Sequence, residues 1–194
     1  MTINYNPSSK IIQRQIKQQH ELGLAIIPFL IDRYHPESIV EFGCGVGRFL
    51  MAFVKAANID PYNYIGYDGT DYLKNSQIPN FNFCKINFIK LSDKANFIKF
   101  DMVVSLEVAE HLPIEYADKF IGLLTGHAKK TILFSAAQVN QGGDGHVNEN
   151  SLEYWEQKFN QQGFKKIDIL RSMIKNNKAV PFWYRNNIFI YERS

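Results

Sequence analysis

Residues 38–49, Ser-Ile-Val-Glu-Phe-Gly-Cys-Gly-Val-Gly-Arg-Phe, constrain the fold more than any other stretch of the chain. Ile39, Val40 and Phe42 make a short apolar run of the kind that forms a buried strand. The run ends at Gly43, Gly45 and Gly47, three glycines spaced two apart. Glycine tolerates positive φ and lets a ligand approach the backbone closely, so a strand that stops here presents a binding turn at the start of the next helix. Glu41 adds a carboxylate at the strand's end. Position 48 is Arg, where the dinucleotide fingerprint G-x-G-x-x-G/A requires Gly or Ala, so that fingerprint fails at its third site.

The pattern resembles the first motif of class I S-adenosylmethionine-dependent methyltransferases. The resemblance implies that Glu41 reaches the amino end of the donor's methionine. It also implies that the loop containing Gly43, Cys44 and Gly45 passes beneath the donor's ribose. Downstream, Tyr64-Ile65-Gly66-Tyr67-Asp68 reads as a second strand ending in an acid, 21 residues beyond Gly47. An acid in this place can accept hydrogen bonds from both ribose hydroxyls. Asp68 precedes Gly69, and Asp-Gly is also a common turn pair, but with the first motif in place ribose binding is the preferred reading. Asn87 follows the short run Phe81–Cys84, where the family often has Asp near the adenine. Its amide offers both an acceptor and a donor, with a plain surface loop as the alternative. Leu106, at the end of a later strand, completes the expected donor-binding set.

Phe100-Asp101-Met102-Val103-Val104-Ser105-Leu106 suits a buried parallel strand, and Glu107, Glu110 and His111 follow it at i, i+3 and i+4. On a single helical turn these three share a face. They read either as an acid-rich helix start or as half of a divalent cation site. His146 favours the second reading. It lies in the glycine-rich stretch 142–149, just after the candidate strand Thr131–Ser135, and neighbouring strands of a doubly wound sheet bring their C-terminal loops together. Glu-x-x-Glu-His followed by a distant His resembles the metal-binding pattern of small-RNA 3′-terminal 2′-O-methyltransferases, and ubiquinone-pathway O-methyltransferases share the first part. The resemblance implies that Glu107, Glu110, His111 and His146 hold a divalent ion, Mg²⁺ or Mn²⁺, against adjacent oxygens of the acceptor. Without metal, His111 or His146 can serve directly as a catalytic base near neutral pH.

From residue 36 onward apolar strand patterns alternate with helical ones, which specifies an α/β fold: a Rossmann-like, doubly wound, seven-stranded sheet in a single domain. Strands are expected near 38–42, 63–68, 81–84, 100–106, 130–135, 165–170 and 187–192. Helices are expected to about 57, shortly after 68, and over about 114–125 and 151–162. The last strand is expected antiparallel, following its predecessor with no helix between, as the resemblance implies. Residues 1–35 form a helical extension, one helix from Ser8 or Ser9 to about His20 and a second from Leu22 to Tyr34, stopped at His35-Pro36. Ile26, Ile27, Leu30 and Ile31 recur at helical spacing and should pack on the core formed by 36–194. Tyr5, Arg14 and Gln15 are candidates for covering the site.

Of 194 residues, 45% are hydrophobic and 21% charged, enough for one substantial core. The net charge is only +3, and no basic run exceeds the pairs Lys129-Lys130 and Lys165-Lys166, a poor footprint for nucleic acid. No signal-peptide pattern opens the sequence and no apolar run approaches 18 residues, so a cytoplasmic protein with no membrane segment is expected. Cys44 and Cys84, far apart in the chain, imply neither a disulfide framework nor a zinc motif. The expected activity is metal-assisted methylation of one hydroxyl of a vicinal diol on a sugar or glycan. The polar loop 138–145 reads either as a cover presenting hydrogen-bonding groups to the acceptor or as a flexible connection, and the aromatic cluster 181–186 as an anchor for the last strand in preference to a stacking surface for a sugar or base. Alternatives are an RNA ribose 2′-O-methyltransferase, a catechol-type O-methyltransferase, and a non-catalytic binding module that keeps the fold. Glu41, Asp68 and the intact glycines argue against the last, which would need none of them.

Overall fold

The computed structural model describes residues 9–70, 77–90 and 97–194. The short helix expected after residue 68 falls partly on residues 71–76 and, like Tyr5, lies outside the described residues. Seven strands form one sheet: β1 (Ile39–Phe42), β2 (Tyr64–Asp68), β3 (Phe83–Lys85), β4 (Phe100–Leu106), β5 (Ala128–Ser135), β6 (Phe164–Ile167) and β7 (Phe189–Arg193). Their order is β3-β2-β1-β4-β5-β7-β6. β7 runs antiparallel to both of its neighbours, β5 and β6, and the other pairs are parallel. The chain reverses direction across the sheet between β1 and β4, so the loops after these two strands flank one crevice, the standard position for a ligand in an open α/β sheet.

Strand periodicity divides the core into two layers. In β4, Met102 and Val104 face one side with Leu22, Ile26 and Leu30 of α1 (Ser9–Tyr34) and Phe49, Leu50 and Phe53 of α2 (Arg48–Ala57). Val103 faces the other, with Phe120, Ile121 and Leu124 of α3 (Ala117–His127) and Trp155 and Phe159 of α4 (Leu152–Gln161). Burying each such side chain contributes about 1.5–3 kcal/mol. Phe159 also stacks on Tyr191 of β7 at 3.9 Å between ring centroids. Truncating Phe159 to Ala would cost about 3–5 kcal/mol, because this interior site cannot collapse around the lost ring.

Two expectations about the elements are corrected. Residues 9–34 form one continuous helix instead of two, since nothing between His20 and Leu22 breaks the backbone ladder. The helix does stop at Tyr34, ahead of His35 with φ +44 and Pro36. The connection from β6 to β7 is also not helix-free: α5 (Leu170–Ile174) and α6 (Phe182–Asn187) lie within it. Helices of one to two turns are too short to show a readable period. α6 is the aromatic cluster itself, with Tyr184 buried in the α1–α2 layer and Phe182 about half exposed. No helix of the described residues is long and apolar enough to cross a membrane.

Candidate functional site

The loop from β1 into α2 carries positive φ at Gly43, Gly45 and Gly47 (+79, +54 and +80). Gly43 is required twice over: a Cβ there would lie 2.2 Å from Cγ2 of Val108. At Gly45 a Cβ would meet nothing within 4 Å, so the backbone here borders open space that a ligand can fill. Asp68, at the end of β2, accepts the Gly45 N–H through Oδ2 at 2.8 Å and the Thr70 N–H through Oδ1 at 2.7 Å. The Thr70 side chain and the Gly69 N–H also hydrogen-bond to this carboxylate, so a ligand on Asp68 would share or replace one of these donors. Burial raises the Asp68 carboxyl above its usual range, against the lowering effect of these N–H donors.

A cleft runs from this loop across the ends of β1, β2 and β4. Gly43, Gly45, Asp68, Asn87 and Leu106, all expected donor-binding positions, line it. Gln15 and Gln19 of α1, Tyr184 of α6, and Glu107, His111 and Gly145 line it as well. Glu41 and Cys44 do not line it. Glu41 is 1% exposed, and its Oε2 accepts the N–H of Leu50, in the first turn of α2, at 3.1 Å. The first N–H groups of a helix lack intrahelical partners, so Glu41 caps α2 from below. Burial pushes its carboxyl well up, and Oε1 has no partner among the described residues. Cys44 is buried, and burial raises its thiol well above the ordinary value.

After β4 the chain does not enter the helical turn expected for Glu107, Glu110 and His111. Glu107 takes φ +54, and the tight 3₁₀ turn begins only at Ala109. Glu107 is therefore not part of the group that Glu110 and His111 form with His146, although its charge still acts on Glu110. Its carboxylate accepts from Asn187 Nδ2 at 3.3 Å and Gln141 Nε2 at 3.2 Å. Asn187 is oriented in turn, receiving Gln138 Nε2 on Oδ1 at 2.8 Å and donating to Gln141 Oε1 at 2.9 Å. Burial raises the Glu107 carboxyl, opposed by hydrogen bonds from Ser135, Asn187 and Gln141.

Glu110, His111 and His146 do converge, with one ligand atom from each within 4.8 Å of the others. Glu110 is 0% exposed, and neither carboxylate oxygen has a hydrogen-bond partner among the described residues. Burial, then the negative charge of Glu107, pushes its carboxyl well up. His111 and His146 meet edge to face at 4.9 Å between ring centroids. Nδ1 of His111 donates to the Gly145 carbonyl at 3.1 Å, which puts the ring lone pair on Nε2. Burial lowers His111 below its usual value, so the ring is neutral at pH 7. Nδ1 of His146 donates to Glu149 Oε1 at 2.7 Å, and that hydrogen bond holds the Glu149 carboxyl below its usual range.

A fully buried carboxyl group beside two imidazoles, its burial opposed only by the backbone N–H groups of Glu110 and Ala137, fits a divalent cation, and the ligand types suit first-row metals. Sequence reasoning gave no role to Glu149 or Asn187, and it reached Gln141 and Tyr184 only as members of the segments 138–145 and 181–186. His146-x-x-Glu149 was the one readable signal among them. Asn187 reaches Glu107 across 80 residues and leaves no local trace.

No protein-family model matches the sequence, and no curated protein matches it. Solved structures do. A SAM-dependent methyltransferase from Archaeoglobus fulgidus superposes with a TM-score of 0.68 at 15% identity, over 96% of this chain and 100% of that one. CalS10, an amino pentose methyltransferase from Micromonospora echinaspora, gives 0.68 at 12%, over 98% and 99%. Magnesium protoporphyrin IX methyltransferase from Synechocystis PCC 6803, with SAH bound, gives 0.62 at 17%, over 98% and 90%. The chain has the class I fold of SAM-dependent methyltransferases, a seven-stranded α/β sheet with the last strand antiparallel.

Proposed function

We propose that the protein is an S-adenosylmethionine-dependent O-methyltransferase that acts, with help from a divalent ion, on one hydroxyl of a vicinal diol in a sugar or glycan. The observation that carries the reading is the Glu110–His111–His146 convergence, which meets the cleft wall through His111 and has Glu110 fully buried. The donor lies over Gly45, with Asp68 on its ribose hydroxyls and Asn87 at the base. Glu110, His111 and His146 hold the ion, which when bound supplies Lewis acidity and lowers the pKa of an acceptor hydroxyl. In the absence of the ion, His111, on the cleft wall with its lone pair on Nε2, would instead take the hydroxyl proton as the methyl group moves in line from sulfur to oxygen. Glu107, set apart from the ion site, accepts a hydrogen bond from a neighbouring hydroxyl of the acceptor.

A sugar acceptor is supported by this chelating arrangement, by the low net charge of +3, and by the likeness to an amino pentose methyltransferase and a sugar N-methyltransferase. The test is methyl transfer from labelled S-adenosylmethionine to a panel of deoxysugars, sugar nucleotides, glycans, catechols and RNA, read by mass spectrometry with and without chelator. Incorporation into a sugar hydroxyl that chelator abolishes and Mn²⁺ restores is expected. Incorporation into RNA alone would replace the acceptor, and full turnover after chelation would leave histidine base catalysis.

A further inference from the structure

We infer that Glu149 is the positioning residue for His146: it sets the ring's tautomer and direction, so that Nε2 is the nitrogen offered to Glu110 and His111. The inference rests on the metal-binding part of the proposed function.

An ionised carboxylate only accepts hydrogen bonds, so the 2.7 Å contact from His146 Nδ1 to Glu149 Oε1 requires the proton on Nδ1. A neutral imidazole has one lone pair, which this contact assigns to Nε2. The same Glu149 oxygen accepts the Gly142 N–H at 2.7 Å, which holds the carboxylate in place independently of the histidine. The ring is also confined from its other edge. A Cβ at position 143 would lie 2.3 Å from His146 Nε2 and 2.5 Å from Cε1, so the imidazole rests directly on the Gly143 backbone.

The loop that carries both residues is tied to the opposite ligand. Val147 and Asn148 donate their N–H groups to the carbonyl of Glu110 at 2.9 and 3.0 Å. A shift of this loop would therefore move against the backbone of the residue whose carboxylate it faces. Glu149 itself is not one of the three converging residues. Its effect is through the imidazole: a carboxylate on the distal nitrogen selects the ligating tautomer, aims the ring and makes Nε2 a better donor.

The test uses Mn²⁺ alone as the probe, on wild type, Glu149→Ala, Glu149→Gln and Gly143→Ala. Mn²⁺ affinity is measured by calorimetry, and the His146 tautomer of the metal-free protein by ¹⁵N NMR. Binding of S-adenosylhomocysteine, whose proposed contacts are Gly45, Asp68 and Asn87, reports that each variant is folded. Wild type is expected to show the Nδ1–H tautomer. Glu149→Ala is expected to weaken Mn²⁺ binding about 10–100-fold and to lose that tautomer preference. Glu149→Gln keeps an acceptor for Nδ1–H and should recover part of the loss. Gly143→Ala, with Glu149 intact, should weaken Mn²⁺ by displacing the ring.

Glu149→Ala binding Mn²⁺ as tightly as wild type, or an Nε2–H tautomer in wild type, overturns the inference. If wild type binds S-adenosylhomocysteine but no Mn²⁺, the metal reading fails, and the tautomer measurement still decides whether Glu149 sets the ring. Should Glu149→Ala not fold, unchanged Mn²⁺ affinity in both Glu149→Gln and Gly143→Ala would equally overturn it.

Discussion

Asp68 Oδ2 accepts the Gly45 N–H at 2.8 Å, so the acid that ends β2 also shapes the loop that ends β1. The two halves of the donor site are thus one hydrogen-bonded unit, and a ligand contacting either meets geometry set by both.

Asp68→Ala is expected to weaken S-adenosylhomocysteine binding by about 1–3 kcal/mol, through lost charged hydrogen bonds and a loosened loop. Calorimetry on both proteins checks it. Equal affinities would move the donor away from Asp68.

The buried carboxylate of Glu110 makes opposite demands with and without metal. Its folded pKa is raised, so its contribution to stability is fully present below the unfolded pKa of about 4.3 and is lost as pH rises through the folded value. Metal-free protein should therefore lose stability as pH rises toward neutrality, and Mn²⁺ should restore it. Glu110→Gln removes the buried charge: at pH 7 the metal-free variant should be about 1 kcal/mol or more stabler than wild type, yet show no Mn²⁺-dependent rise in Tm. Thermal melts at several pH values, with and without Mn²⁺, measure both effects. A Mn²⁺ shift surviving in the variant would exclude Glu110 as a ligand.

Glu107 is held by Asn187 and Gln141, outside the Glu110–His111–His146 group. Glu107→Gln should leave Mn²⁺ affinity within about threefold of wild type, less than the 10–100-fold expected when a ligand's support is removed. Methyl transfer to a diol acceptor should fall, with the loss in KM. A hundredfold drop in Mn²⁺ affinity would make Glu107 a fourth ligand instead.

At the opposite end of the central strands from the cleft, Asp101 braces the start of β4 against the segment before β1. It accepts from Ser38 Oγ at 2.7 Å, Glu37 N at 3.2 Å and Lys129 Nζ at 2.9 Å. Burial pushes its carboxyl up, but Lys129 and Ser38 outweigh this and hold it below the usual range. The sign is therefore the reverse of Glu110: the brace stabilises above the unfolded pKa of about 3.9 and is lost as pH falls through the folded value. Asp101→Asn should lower stability at pH 7 by about 0.5–1 kcal/mol and flatten the acid limb of a denaturation curve below pH 4. An acid limb identical to wild type would show that the brace contributes nothing.

Much of the architecture was legible because it rests on local pattern. Apolar runs at 39–42 and 102–106 and the glycines at 43, 45 and 47 are decided by residue type and nearest neighbours, and these set the strands, the loop and the crevice. His111 and His146 were legible as partners because the strands before them, β4 and β5, had to be neighbours in a doubly wound sheet. α5 and α6 were not, since helices of five and six residues carry no period to read.

The composition of the ion site shows where local pattern stops. The sequence by itself determined that two glutamates and two histidines would gather at the ends of β4 and β5. Only the tertiary structure decided that Glu110 joins the histidines while Glu107 turns aside to Asn187 and Gln141, and that Glu41 caps α2 rather than lining the cleft. The reason is directional. One backbone angle, φ +54 at Glu107, sets where that carboxylate goes, and the amides that receive it come from residues 34 and 80 positions away. Spacing along the chain specifies which side chains are near one another, but burial and hydrogen bonds supplied by distant segments select the direction each one takes.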